Sequence, residues 1–137
     1  MLTLNVNWIA VLIAAVASNA LGFGWYMSLA KQWLGAQGKT SEQALGAAGG
    51  SVTPFIWSAA CQLVMAYFLA VLTPQLFGAT TVSSGVLTGI EMWVGFIATS
   101  MILNHRYQGQ KWALTLIDGG YLLGVLILQG IIIGLFG

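Results

Sequence analysis

WALTLIDGGYLLGVLILQGIIIGLF, residues 112–136, is the stretch that decides the fold. It holds one charged side chain, Asp118, in a run longer than the about 20 apolar residues an α-helix needs to cross a hydrocarbon core of about 30 Å. Three further runs of this kind lie upstream, over about residues 6–30, 54–76 and 83–104, each bounded by polar or turn residues. None shows the alternation of apolar and polar residues that a membrane β-barrel strand requires, and the helix formers Leu and Ala are abundant. The expected fold is all-α, a bundle of four transmembrane helices in a single integral membrane domain over residues 1–137.

Composition points the same way. The chain is 58% hydrophobic and 5% charged, against roughly a quarter charged in soluble domains. Three acids and four bases cannot coat the exterior of a water-soluble domain of 137 residues, so membrane lipids are the expected surroundings. A net charge of +1 supplies no basic surface for a phosphate backbone, which removes nucleic acid as a partner. Cys61 is the single cysteine, which forbids an intrachain disulfide, and with the lone His105 it cannot build a zinc cage; no metal and no cofactor are expected. The first apolar run leads to the small residues Ala15, Val16 and Ala17, as a signal peptide would, but no Lys or Arg precedes it, and it is expected to be retained as a span.

Charge is distributed unevenly about the spans. Lys31 and Lys39 lie between the first two, Arg106 and Lys111 between the last two, and four spans bring these connections to one side of the membrane. The positive-inside tendency places that side in the cytoplasm and both termini on the outer, periplasmic side. Trp25, Tyr26, Trp33, Trp57, Tyr107 and Trp112 gather near the charged side, where amphipathic rings settle at headgroup depth. The longest connection contains Thr40, Ser41, Glu42 and Gln43, a capping-box pattern that predicts a short surface helix over about residues 40–49, ended by Gly49 and Gly50.

Helices in lipid associate through small residues and interhelical hydrogen bonds, because apolar burial gains little there. Ala10, Ala14, Ser18 and Gly22 recur every fourth residue and lay a smooth strip along the first helix. Gly85 with Gly89 in the third helix, and Gly120 with Gly124 and Gly130 with Gly134 in the fourth, are further candidate packing seams. They serve contacts within the bundle or contacts with a second copy.

Two acids lie inside the spans, Glu91 and Asp118, and a charged acid near mid-bilayer costs on the order of 3 kcal/mol on insertion scales. They sit at different depths, about 10 Å or more apart along the bundle at the helical rise, too far to share a proton. Ser84, Thr88, Glu91 and Thr99 fall near one face of the third helix, and Asp118, Tyr121 and Gln129 near one face of the fourth. At the depth of Asp118 the expected hydrogen-bonding partners are Asn19, Gln62 and Thr99. These acids either tie helices together or mark a proton or cation path. His105 is expected to be a solvated or capping residue, and no nucleophile with a base, phosphate-cradling loop or ligand cluster is visible, so no enzyme activity and no catalytic residue are expected.

Several motifs together carry a resemblance. Asn7-Trp8 before a small-residue helix, Gly22-Phe23-Gly24-Trp25-Tyr26, Ala66-Tyr67, the run from Trp93 to Thr99, and Asp118-Gly119-Gly120-Tyr121 are similar to the bacterial membrane family labelled domain of unknown function 1761. The resemblance covers nearly the whole chain. It implies a four-helix domain in a bacterial inner membrane, and it assigns no activity, substrate or functional residue. The expected function is that of a structural or accessory subunit packing against itself or a larger membrane complex. The alternative is a proton-coupled small-molecule transporter working as a homodimer; its size and span number resemble small multidrug exporters, whose first helix carries an essential Glu, whereas no acid lies in the first span here.

Overall fold

The computed structural model describes residues 5–38 and 53–137, and every regular element among them is helical. The predicted short helix over residues 40–49 lies outside the described residues. Four helices are long and apolar enough to cross a membrane: Trp8–Ser28, Thr53–Phe77, Val82–Tyr107 and Trp112–Leu135.

The first, α1 (Trp8–Ser28), starts where the Asn7 side chain accepts hydrogen bonds from the backbone N–H groups of Ile9 and Ala10, filling two of the donors that a helix start leaves unpaired. After Leu29 the chain continues as α2 (Ala30–Gln37), which ends at Gly38 in the left-handed conformation, φ 67°. The spacing of apolar residues did not predict α2, because Lys31, Gln32, Gly35 and Gln37 break the pattern of a span. The second span, α3 (Thr53–Phe77), carries Pro54 in its first turn, where a missing N–H leaves no helical bond unmade.

The third span is composite. It is α-helical over Val82–Met92 (α4) and Thr99–Tyr107 (α5), and the turn between, Trp93–Ala98, is π-helical. Thr81 and Ser84 form a reciprocal capping box at its start. At the wide turn the Thr99 hydroxyl donates to the Gly95 carbonyl at 3.0 Å, and the Ser100 hydroxyl donates to the Phe96 carbonyl, so the loosened backbone keeps its acceptors satisfied. A turn with Gly109 at φ 68° leads into the last span, α6 (Trp112–Leu135).

α4 and α6 cross at backbone distance. A methyl group built on Gly85 would fall on the Gly130 carbonyl, one on Gly89 would lie 2.7 Å from the Leu126 carbonyl oxygen, and one on Gly134 would fall on the Thr81 carbonyl. α1 packs on α3 and α6 through Ala10, Ala14 and Ser18, all buried. Gly22 makes room for the Tyr121 hydroxyl, Gly120 for the Trp25 ring and Gly124 for Leu21, so these three glycines receive side chains rather than another backbone. The apolar core runs through Val11, Ala14, Ala66, Leu69, Ala70, Leu126 and Ile133. Coverage by the described residues is uneven: 39% of an 18-residue apolar stretch of α6 is buried and 28% of that of α1 and of α3, but only 11% of the third span's. One face of the third span therefore has no partner among the described residues.

Candidate functional site

Residues 117–119 of α6 are held from both sides. The Tyr26 hydroxyl of α1 donates to Asp118 Oδ1 at 2.6 Å, and the Trp25 indole N–H beside it donates to the Ile117 carbonyl at 3.0 Å. From the opposite side the Trp93 indole donates to the Gly119 carbonyl at 2.9 Å. Each carbonyl has a second lone pair free beyond its helical bond, and the indoles use it. Tyr26 is further fixed by edge-on packing against Tyr121, centroids 5.2 Å apart, and against Trp33 of α2, 5.3 Å apart.

A second polar cluster continues from this clamp toward the middle of the bundle. The Tyr121 hydroxyl accepts from Gln62 Nε2 and donates to the Ser18 carbonyl at 3.2 Å, in the space that Gly22 leaves open. Gln62 Nε2 also reaches Ser58 Oγ at 3.2 Å, Ser58 Oγ lies 3.4 Å from Asn19 Oδ1, and Asn19 Nδ2 donates to the Ala15 carbonyl at 2.9 Å. Further along, Gln129 Nε2 donates to the Gln62 backbone carbonyl at 3.1 Å. The side-chain carbonyl oxygens of Gln62 and Gln129 are buried without a hydrogen-bond partner among the described residues.

Asp118, Tyr121, Gln62 and Asn19, all expected as site residues, thus lie in one connected region spanning α1, α3 and α6. The expected pairing differs from the one found. Asn19, Gln62 and Thr99 do not bond Asp118; its partner is Tyr26, while Thr99 is exposed and donates along its own helix. Residue type alone sets Tyr26 at headgroup depth. The missed signal is periodic: Ala10, Ala14, Ser18 and Gly22 lead by the same step of four to Tyr26, so its side chain shares the face turned toward α6. Residue type likewise sets Trp25 at headgroup depth, and nothing in the sequence marks Trp93 or Ser58 as a site residue.

Glu91 is the second correction. Ser84 and Thr88 are buried, but Glu91 and Thr99 are exposed, so the four do not form one inward seam. Three residues beyond Thr88 lie about 60° back around the helix, at the edge of the buried face, and the π-turn after Met92 rotates Thr99 away as well. The Glu91 side chain makes no hydrogen bond or ion pair with any described residue.

At the end bearing the basic residues, Arg106 donates to the Gln110 carbonyl at 2.9 Å and to Thr115 Oγ1 at 3.0 Å, and lies over the Trp112 ring at 3.7 Å. His105 Nδ1 is 2.7 Å from the same Thr115 hydroxyl, so it is bonded to α6 rather than simply solvated. These contacts close the turn between α5 and α6.

The clamp yields a direct expectation. Trp93→Phe keeps the ring and removes one donor to Gly119, and it should lower stability by about 0.5–1.5 kcal/mol in detergent unfolding. An unchanged midpoint would mean that the indole bond holds nothing in place.

Four long apolar helices, tied internally by hydrogen bonds and clad outside in apolar side chains, define the class as a multi-pass helical membrane protein. Over residues 9–134 the chain matches the family described as protein of unknown function (DUF1761), and it belongs to that family. No curated protein and no solved structure matches it.

Proposed function

We propose that this chain is a structural or accessory subunit of a bacterial inner-membrane assembly, oriented with both termini outside and the basic connections in the cytoplasm. The observation that carries the proposal is the contrast between its two intramembrane acids. Asp118 is tied to Tyr26 within the bundle, whereas Glu91 is exposed, with its side chain unpaired among the described residues, on the span with the least coverage. Bare lipid is a poor surrounding for a carboxylate, and intramembrane acids normally face protein or water. The charge asymmetry of the connections supports the orientation.

Photocrosslinking in native membranes tests the subunit role. Probes at Leu87, Val94 and Leu103 on the third span are expected to give protein adducts of discrete mass, while probes at Val64 and Phe68 on the second give lipid adducts. Lipid adducts alone at all five positions would sink the proposal.

One observation favours a second role, a proton-coupled transporter working as a homodimer. Asp118, Tyr26, Tyr121, Gln62 and Gln129 form a polar column, and two of its carbonyl oxygens are buried and unpartnered. Proton uptake into vesicles that Asp118→Asn abolishes would support this role; no uptake by the wild type would remove it.

A further inference from the structure

We infer that the uncovered face of the third span docks a single transmembrane helix of a different protein, one bearing a Lys or Arg side chain level with Glu91. The inference rests on the accessory role above and names the partner's chemistry.

Two observations converge on that face. Glu91 lies about 14 Å from the start of a 26-residue span about 39 Å long, close to the middle of the hydrocarbon. Leu87 and Val94, one turn to either side of it, are exposed, so the carboxylate stands alone in an apolar strip. Directly after Val94, four residues along from Glu91, is Gly95. Unlike Gly85, Gly89, Gly130 and Gly134, it has nothing within 4 Å of where a Cβ would stand, so no contact with a described residue requires a glycine there. A glycine weakens a helix, and in membranes its usual return is the close approach of a second helix. Here that approach is open only from outside, and it would bring a neighbouring backbone within side-chain reach of Glu91.

Charge complementarity selects the occupant. A second copy brings no cation to this depth. The described bases, Lys31, Arg106 and Lys111, lie near one end of the bundle, and the one on the third span itself, Arg106, is about 22 Å along the helix from Glu91. Nor does a second copy's third span offer a free hydroxyl within one turn of Glu91, because Thr88 already donates to the Ser84 carbonyl at 2.8 Å. A two-fold contact through this face would instead set acid against acid. A foreign helix with an ammonium or guanidinium group supplies both the opposite charge and the N–H donors that the carboxylate lacks.

The probe is a labelled Leu-rich membrane helix with one central Lys, mixed with the full-length chain in lipid vesicles and followed by energy transfer. It is expected to bind wild type at least tenfold more tightly than an otherwise identical all-Leu helix. Glu91→Gln should erase that difference, Gly95→Leu should weaken binding, and Gly24→Leu, on an open surface of α1, should leave it unchanged. Glu91→Lys should recover binding to a helix whose central residue is Glu. Since Glu91 touches no other described side chain by hydrogen bond or ion pair, the variants are expected to fold, and unfolding midpoints check this.

Equal binding of the Lys and all-Leu helices to wild type would overturn the inference. So would Glu91-dependent self-association, which would make a second copy the occupant. If the third span gives protein adducts in native membranes but ignores the Lys helix, the accessory role stands and the cationic partner falls. Lipid adducts alone would remove both.

Discussion

Gly130→Val is expected to abolish the folded bundle, with a loss of more than about 3 kcal/mol in detergent unfolding and little folded protein in the membrane fraction. The atoms that meet a new Cβ at this position are the Gly85 carbonyl and the Val86 amide nitrogen, and neither can turn aside as a side-chain tip can. Overpacking a core typically costs about 1–3 kcal/mol because neighbours shift their rotamers. Here α4 and α6 must separate bodily, and the contacts at Gly89 with Leu126 and at Gly134 with Thr81 separate with them. In lipid no hydrophobic gain draws the helices back together, so the lost van der Waals contact is not replaced. Gly85→Val attacks the same crossing from the other helix and should fail in the same way. Gly95→Ala, whose Cβ meets open space, should fold normally. Wild-type stability in Gly130→Val would show that the two helices do not cross at this point.

The glycine positions were visible in the sequence because small residues repeated at helical spacing have few other uses in an apolar helix. Sequence could not say which glycine meets which surface. Gly85 and Gly130 receive backbone, whereas Gly22 receives the Tyr121 hydroxyl and Gly120 the Trp25 ring, and spacing is the same in both cases. The four spans were legible because hydrocarbon thickness sets their length, and the observed helices begin and end within a few residues of the runs first marked. The π-helical turn at Trp93–Ala98 was not legible. Its residues, WVGFIA, are ordinary for a membrane helix, and it is sustained by hydroxyl donors at Thr99 and Ser100 that a composition count treats as neutral. That turn also spoiled the face assignment of the third span, since a regular step of about 100° per residue misplaces everything beyond it. For Asp118 the sequence supplied the right neighbourhood and the wrong donor. Amide and hydroxyl residues were matched to it by depth alone, while the phenol of Tyr26 reaches it because α2, through Trp33, and α6, through Tyr121, hold the ring edge-on from both sides.

Tyr26 and Asp118 are expected to be energetically coupled, by about 1 kcal/mol in a double-mutant cycle of Tyr26→Phe and Asp118→Leu. Hydrogen bonds to a charged acceptor contribute about 1.5–3 kcal/mol in water-soluble proteins, but side-chain bonds between membrane helices average about 0.6 kcal/mol and reach about 1.7, because the dissociated helices find other partners. Asp118 is only half-buried and near the basic end of α6, which keeps the value inside the lower range. Each single change should cost about 1–2 kcal/mol, and the double variant should cost less than their sum. Additive costs would mean that the 2.6 Å contact ties nothing. Asp118→Asn then separates the two roles proposed for this acid. An Asn side chain keeps an oxygen that can accept the Tyr26 proton, so a tie survives in weakened form, at a cost below that of Asp118→Leu. It cannot exchange a proton with its surroundings, so a transport step through position 118 cannot survive at all. Folded Asp118→Asn protein that has lost a proton uptake seen in wild type would make this carboxylate a working site. A variant that differs only in its unfolding midpoint would leave it a strut between α1 and α6.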